Sequence, residues 1–267
     1  MLLRLENSHF RYPGGVEVFK GVNFSVDTGE AVALMGPNGS GKTTLLMIAA
    51  GLLDPERGIV LLDGKPLGEQ LPEARERIGF MFQNPDDQLF NPTVYDEIAF
   101  SLNQICSSVN EVNRRVKEVA EKFGITQLLD RPPYKLSVGE KRIVTLASVV
   151  AYNPDVLLLD EPIANVSPKI IEKIKQTIKE FKNAHKAIVI ASHDVEFVAE
   201  TSDRVYIINN GSIIGGSDTR SILSDEGLLA IAEMKPPLVL QILKILKPGL
   251  YYYPLTIEQL RRSNGKS

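Results

Sequence analysis

Apolar and polar positions alternate with a period of two from Met1 to Phe10, a pattern that predicts a strand with one buried face. Gly21 to Val26 and Glu30 to Met35 read as two further strands, with Pro13-Gly14-Gly15 and Asp27-Thr28-Gly29 as the turns between them. A helical run follows from Lys42 to Ala50. Gly58 to Leu62, running into Asp63-Gly64, reads as a strand entering a hairpin, and Arg77 to Phe82 as another strand. From Thr93 to Ala151 the period becomes helical: Val112, Val116, Val119 and Ala120 share one face of Asn110 to Phe123, and Val138 to Ala151 is similar. The pattern then alternates between strands (Val156 to Leu159, Ala187 to Ala191, Arg204 to Asn209) and helices (Pro168 to Ala184, Asp194 to Glu200). Such alternation predicts an α/β fold, a mostly parallel sheet with helices packed on it, carrying a β-rich N-terminal part and a helical insertion near residues 90–150.

Composition narrows the class without naming an activity. The 267 residues, 43% apolar and 24% charged, are enough to bury a full core. The balance of 30 basic and 33 acidic residues leaves a net charge of −3, which gives no global field to draw nucleic acid. A single cysteine, Cys106, cannot form an internal disulfide, which fits a reducing cytosol. No unbroken apolar segment of a signal peptide opens the chain, and no window approaches the roughly 18 apolar residues of a membrane helix. A role at a membrane is therefore expected to run through a partner.

The chemistry concentrates in two places. Gly36-Pro37-Asn38-Gly39-Ser40-Gly41-Lys42-Thr43-Thr44 fits G-x-x-x-x-G-K-[ST] between an apolar strand and a helix, the setting of a phosphate-binding P-loop. Glycines let successive N–H groups face one anion, and the following helix points its positive end at it. Asn38, Gly39, Ser40, Gly41, Lys42, Thr43 and Thr44 are thus candidate nucleotide contacts, with Lys42 reaching the β- and γ-phosphates and Thr43 ligating Mg²⁺. The second place is Val156-Leu157-Leu158-Leu159-Asp160-Glu161, an apolar strand delivering two carboxylates at its C-terminal end. Alone, such a pair reads as a solubilising strand end. Downstream of a P-loop, Asp160 is a candidate Mg²⁺ ligand and Glu161 a candidate general base.

In that order, over essentially the whole length, the chain resembles the ATP-binding-cassette (ABC) ATPases. The resemblance implies a RecA-like P-loop core, an antiparallel β-subdomain, a helical subdomain, and a cassette domain over residues 1–235 followed by a tail over 236–267. It implies that Tyr12 in Phe10-Arg11-Tyr12 stacks on adenine, that Gln83 touches Mg²⁺ and faces a transmembrane partner, and that His193 in Ala191-Ser192-His193-Asp194 contacts the γ-phosphate. The family's Leu-Ser-Gly-Gly-Gln signature corresponds to Leu136-Ser137-Val138-Gly139-Glu140, whose Ser137 and Gly139 would bind the γ-phosphate held by an opposing cassette. Val138 restricts the backbone there, Glu140 brings a carboxylate toward an anion, and Ser167 stands where the family's D-loop carries an acid. These departures fall on the partner's site, which implies one half of a heterodimer rather than a homodimer.

Within that group the segment Phe82 to Val94, with Asp86-Asp87-Gln88, resembles the ATPase subunits of energy-coupling-factor (ECF) transporters, which import vitamins and metal ions. The resemblance implies ATP and Mg²⁺ as cofactors, a second cassette, a membrane scaffold received near Gln83, Asp86 and Asp87, a separate cargo-binding membrane subunit, and a place on the cytoplasmic face of the membrane. Lys235-Pro236-Pro237 and Pro254-Leu255-Thr256 resemble that group's short tail, expected at the dimer interface. An ordinary ABC importer ATPase and a nucleotide-gated subunit with little turnover are the alternatives.

Overall fold

The computed structural model describes residues 1–15, 17–250 and 252–264. The chain begins β1 (Leu3–Arg11), β2 (Glu17–Val26), β3 (Ala31–Met35), α1 (Lys42–Ala49), β4 (Arg57–Leu62), β5 (Lys65–Pro66) and β6 (Ile78–Met81). Three helices follow, α2 (Val94–Ile105), α3 (Val109–Phe123) and α4 (Val138–Ala151). Then come β7 (Val156–Asp160), α5 (Pro168–Asn183), β8 (Ala187–Ala191), α6 (Val195–Thr201), β9 (Arg204–Asn209) and β10 (Ser212–Asp218). Four short helices close the chain: α7 (Thr219–Ser224), α8 (Glu226–Ile231), α9 (Leu238–Leu246) and α10 (Ile257–Asn264).

Two sheets result. The larger has the order β10-β9-β3-β8-β7-β6 and is parallel except for the edge strand β10; the smaller, β2-β1-β4-β5, is antiparallel. Strands β3, β7 and β8 are buried at every residue, as continuous apolar runs predict for a parallel sheet covered on both faces. Alternate residues feed different cores. Leu157, Leu159, Ile188 and Ile190 face α2 to α5, whereas Leu158, Val189, Val32 and Leu34 face α1 and the antiparallel sheet. A third cluster joins Ala33, Met35, Val205 and Ile207 to α6, α7 and α8, and includes Leu240 and Leu255 from the C-terminal segment.

The structure departs from the sequence pattern at β2, which starts at Glu17 rather than Gly21. Gly21 lies inside the strand at φ +82°, where a Cβ would meet Asn7 Oδ1 at 2.8 Å, and the β1–β2 register shifts around Ser8. The glycine marks a bulge, not a boundary. Strand β10 and helices α7 to α10 had no counterpart in the apolar pattern.

Candidate nucleotide-binding and hydrolysis site

Because β8 lies between β3 and β7, the segments leaving their C-terminal ends are neighbours. The P-loop leaves β3, Asp160 ends β7 with Glu161 following, and His193 follows β8 by two residues.

Close packing shapes the loop. Gly36, at φ +153°, passes so near the Ile208 carbonyl that a Cβ would fall on its oxygen, and a Cβ at Gly41, at φ +103°, would meet the Phe19 ring at 2.9 Å. Helices α2, α3 and α4 each have a side chain bonded to their first turn, from Thr93, Ser108 and Ser137. Helix α1 has neither a capping side chain nor an acid in its first turn, so its N–H groups and positive end are left for an anion. Lys42 is buried, and its Nζ donates to the carbonyls of Gly36 at 2.8 Å and Pro37 at 3.0 Å. Burial pulls its pKa down, against the opposing pull of the Glu161 and Asp160 carboxylates. An ammonium has three donors, so one remains for a phosphate oxygen.

Thr43 Oγ1 donates to Asp160 Oδ2 at 2.6 Å. Asp160 is 1% exposed, its Oδ1 has no partner, and burial holds its carboxyl above the usual range despite the Thr43 hydrogen bond. A hydroxyl and a carboxylate with an unpaired buried oxygen form a hard oxygen donor set that fits Mg²⁺. No group of three or more His, Cys, Asp or Glu suited to a metal occurs among the described residues.

Glu161 adopts φ +43°, a left-handed conformation uncommon outside glycine, and its N–H extends the β7–β8 pairing to Ala191 O at 2.9 Å. The backbone strain is borne where the carboxylate must be aimed. Its Oε1 lies 2.9 Å from His193 Nδ1. Tyr12 Oη shares a 3.1 Å hydrogen bond with Thr44 Oγ1, and the Phe10 ring braces Tyr12 edge-on at 4.9 Å. A cavity of about 340 Å³ is lined by Tyr12, Asn38, Gly39, Gly41, Lys42, Thr43, Thr44, Gln83, Asp160 and Glu161. Ser40 lines the adjoining groove and its buried Oγ has no partner.

Ser137 and Gly139 do not line this cavity; they open α4 elsewhere on the chain. Glu140 there is a structural cap. Its Oε2 accepts from the Ser137 N–H at 2.8 Å while Ser137 Oγ accepts from the Glu140 N–H at 3.3 Å, and the Ser137 hydrogen bonds hold its carboxyl below the usual range. The Ser-x-x-Glu spacing is the sequence signal for this box. Asp86 is engaged by Lys141 across an ion pair, and Asp87 accepts from Asn84 Nδ2 at 3.2 Å. Two further residues hold Phe82 near the site, Gln88 from the Asp86-Asp87-Gln88 stretch and Arg142, which no motif singles out. Gln88 accepts from the Phe82 N–H at 3.0 Å, and Arg142, 2% exposed, donates to Phe82 O at 3.2 Å.

Known proteins resemble this chain in sequence and fold. The family model described as ABC transporter matches residues 19–164. The energy-coupling factor transporter ATP-binding protein EcfA of Methanocaldococcus jannaschii is 38% identical over 248 residues, 92% of this chain and 89% of that protein. The EcfA of Methanosphaera stadtmanae is 34% identical over 264 residues, 96% of this chain and 95% of that one. Among solved structures, cbiO1 of Clostridium perfringens, described as part of the ABC transporter complex cbiONQ, superposes with a TM-score of 0.76 at 31% identity, covering 92% of this chain and 96% of that chain. A dimeric ATP-binding cassette in a post-hydrolysis state with ADP and Pi gives a TM-score of 0.75 at 27% identity, covering 82% and 99%. The mixed α/β architecture, the phosphate loop facing Asp160 and Glu161, and these likenesses together identify the chain as a member of the ABC transporter family and an ATP-hydrolysing cassette of it.

Proposed function

We propose that this cassette energises import of a small molecule, a vitamin or a metal ion, as the ATPase subunit of an ECF-type transporter. The reading rests on the convergence of Lys42, the Thr43–Asp160 pair and the Glu161–His193 pair at the ends of three adjacent strands, together with the likeness to EcfA and cbiO1. Tyr12 stacks on adenine, the P-loop amides and Lys42 hold the phosphates, and Glu161 accepts the proton of the attacking water. Thr43, Gln83 and Asp160 would hold Mg²⁺, which would supply charge neutralisation on the phosphate oxygens. His193 orients Glu161 and meets the γ-phosphate. The protein's contribution is positioning and charge stabilisation more than covalent chemistry.

No helix among the described residues is long and apolar enough to cross a membrane, so coupling runs through a scaffold docked beside Gln83 on the cytoplasmic face. Because Lys141 already engages Asp86, a basic scaffold side chain meets Asp87 and an existing ion pair, and docking exchanges partners at Asp86. The two-carboxylate contact expected from sequence is thereby modified.

The cassette hydrolyses ATP at its own Walker residues and completes the opposite site poorly, as half of a heterodimer with a second cassette. The supporting observation is that Glu140 already occupies the N–H of Ser137, leaving the signature with a carboxylate at its helix start. The same observation favours a second reading, a nucleotide-gated subunit with little turnover. A pull-down from detergent-solubilised membranes of the native host, with mass spectrometry and an ATPase assay, separates the two. A second, sequence-distinct cassette and a membrane scaffold in an active eluate support the ECF heterodimer. Recovery of this chain alone, without turnover, overturns it. A scaffold belonging to a different importer class assigns the cassette to an ordinary ABC importer.

A further inference from the structure

Arg142 is a charge on the buried side of α4, among Ile143, Val144, Thr145 and Leu146. Its one hydrogen bond, at 3.2 Å, runs from Nη1 to the Phe82 carbonyl, and its buried Nε has no partner. Burial pulls the guanidinium's pKa down, while Asp160 and Glu161 are the charges that stabilise its ionised form. As fold chemistry this is poor. A well-packed apolar side chain of similar volume serves stability equally or better than a buried, half-satisfied guanidinium.

The Phe82 carbonyl gives the charge a purpose. Strand β6 ends at Met81, and both polar groups of Phe82 are then held by side chains: Gln88 takes its N–H at 3.0 Å and returns a 3.0 Å bond to Phe80 O, and Arg142 takes its carbonyl. That carbonyl belongs to the peptide that leads into Gln83, which lines the nucleotide cavity beside Asp160 and Glu161.

We propose that Arg142 is a positioning residue for ATP hydrolysis, fixing the Phe82–Gln83 peptide so that the Gln83 side chain is presented to the Asp160–Glu161 end of the cavity. The proposal rests on the reading of Gln83 as part of the hydrolysis machinery. Arg142 acts at a distance from the substrate, and its effect is expressed through Gln83. Lysine is a partial substitute, since its three donors sit on one nitrogen and lack the planar fork.

The test measures kcat, KM for ATP, ADP affinity and Tm for the full-length chain in its assembled ATPase, in the variants Arg142→Met, Arg142→Lys, Gln83→Ala and Arg142→Met with Gln83→Ala. Arg142→Met is expected to lower kcat about 10- to 100-fold, with KM and ADP affinity nearly unchanged and Tm equal or higher. Arg142→Lys recovers part of the loss, and the double variant is no slower than Gln83→Ala alone. Wild-type kcat in Arg142→Met beside an impaired Gln83→Ala overturns the role of Arg142 alone. Unimpaired turnover in Gln83→Ala overturns the reading of Gln83 and the proposal with it. A kcat loss that tracks a fall in Tm, or losses that multiply in the double variant, also overturns the proposal, because both mark a structural residue.

Discussion

His193 Nδ1 sits 2.9 Å from Glu161 Oε1, joining a side chain that is 63% exposed to one that is 8% exposed. The imidazole thus bridges the buried carboxylate and the open side of the cleft, where the proposed mechanism brings the γ-phosphate and its attacking water. Glu161→Gln keeps the shape and removes the base, so turnover is expected to fall about 10²- to 10⁴-fold with ATP affinity retained. Single-turnover hydrolysis with parallel nucleotide titration checks this. His193→Ala is expected to lower turnover with the same retention of binding.

Asp160 carries the opposite balance between stability and function. Its folded pKa is raised above the unfolded value by burial, so the stability conferred by that shift is present below the unfolded pKa and is lost as pH rises through the folded one. Ionising this buried carboxylate is therefore a cost to the fold. Asp160→Asn, which still accepts from Thr43 Oγ1, is expected to raise Tm in the absence of nucleotide and Mg²⁺ while abolishing hydrolysis. Thermal unfolding between pH 5 and 8, beside an ATPase assay, reads both.

Tyr152, at the end of α4, donates from Oη to Ile78 O at 3.1 Å, and burial pushes its pKa up from 10.0 to about 12. The folded chain therefore holds this proton where the unfolded chain has released it. Stability is expected to be undiminished by this group below pH 10 and to be lost as pH rises from 10 to 12, by about 3 kcal/mol in full. Urea unfolding from pH 8 upward checks it. The decline should be steeper in the wild type than in Tyr152→Phe, which lacks the titrating phenol.

The candidate site residues stand out in the sequence for a reason that β3, β7 and β8 make plain. Each is a fully buried strand of five residues, visible as an apolar run, and each delivers its motif at its C-terminal end. Strand β10 was hidden because Gly215 and Gly216 interrupt any apolar alternation; it pairs where Gly216 lies opposite Tyr206, whose ring would be 2.7 Å from a Cβ there. Helices α7 and α8 are capped by Asp218 and Asp225, each accepting from the N–H three residues on, a spacing too brief to stand out without an apolar stripe. Arg142 could not be read, because its partner lies sixty residues away and only tertiary packing joins them. Glu140 was visible but ambiguous: the Ser-x-x-Glu spacing of a capping box coincides with the phosphate-binding signature.

That coincidence makes the two uses of Glu140 separable. Glutamine can reach back to the Ser137 N–H as glutamate does, so Glu140→Gln is expected to leave Tm nearly unchanged while raising hydrolysis at the opposing cassette's site severalfold. Ser137→Ala removes the cap and is expected to cost about 1 kcal/mol of stability. Turnover of the assembled complex and thermal unfolding of the isolated chain distinguish them.

Turnover in mixed dimers reads the functional asymmetry of the proposed heterodimer. ATP hydrolysis is compared in assembled complexes carrying Glu161→Gln in this chain or the equivalent glutamate-to-glutamine change in the second cassette. Loss of most turnover from Glu161→Gln, with a smaller loss from the other, is the predicted result. Equal losses from the two changes would contradict the asymmetry.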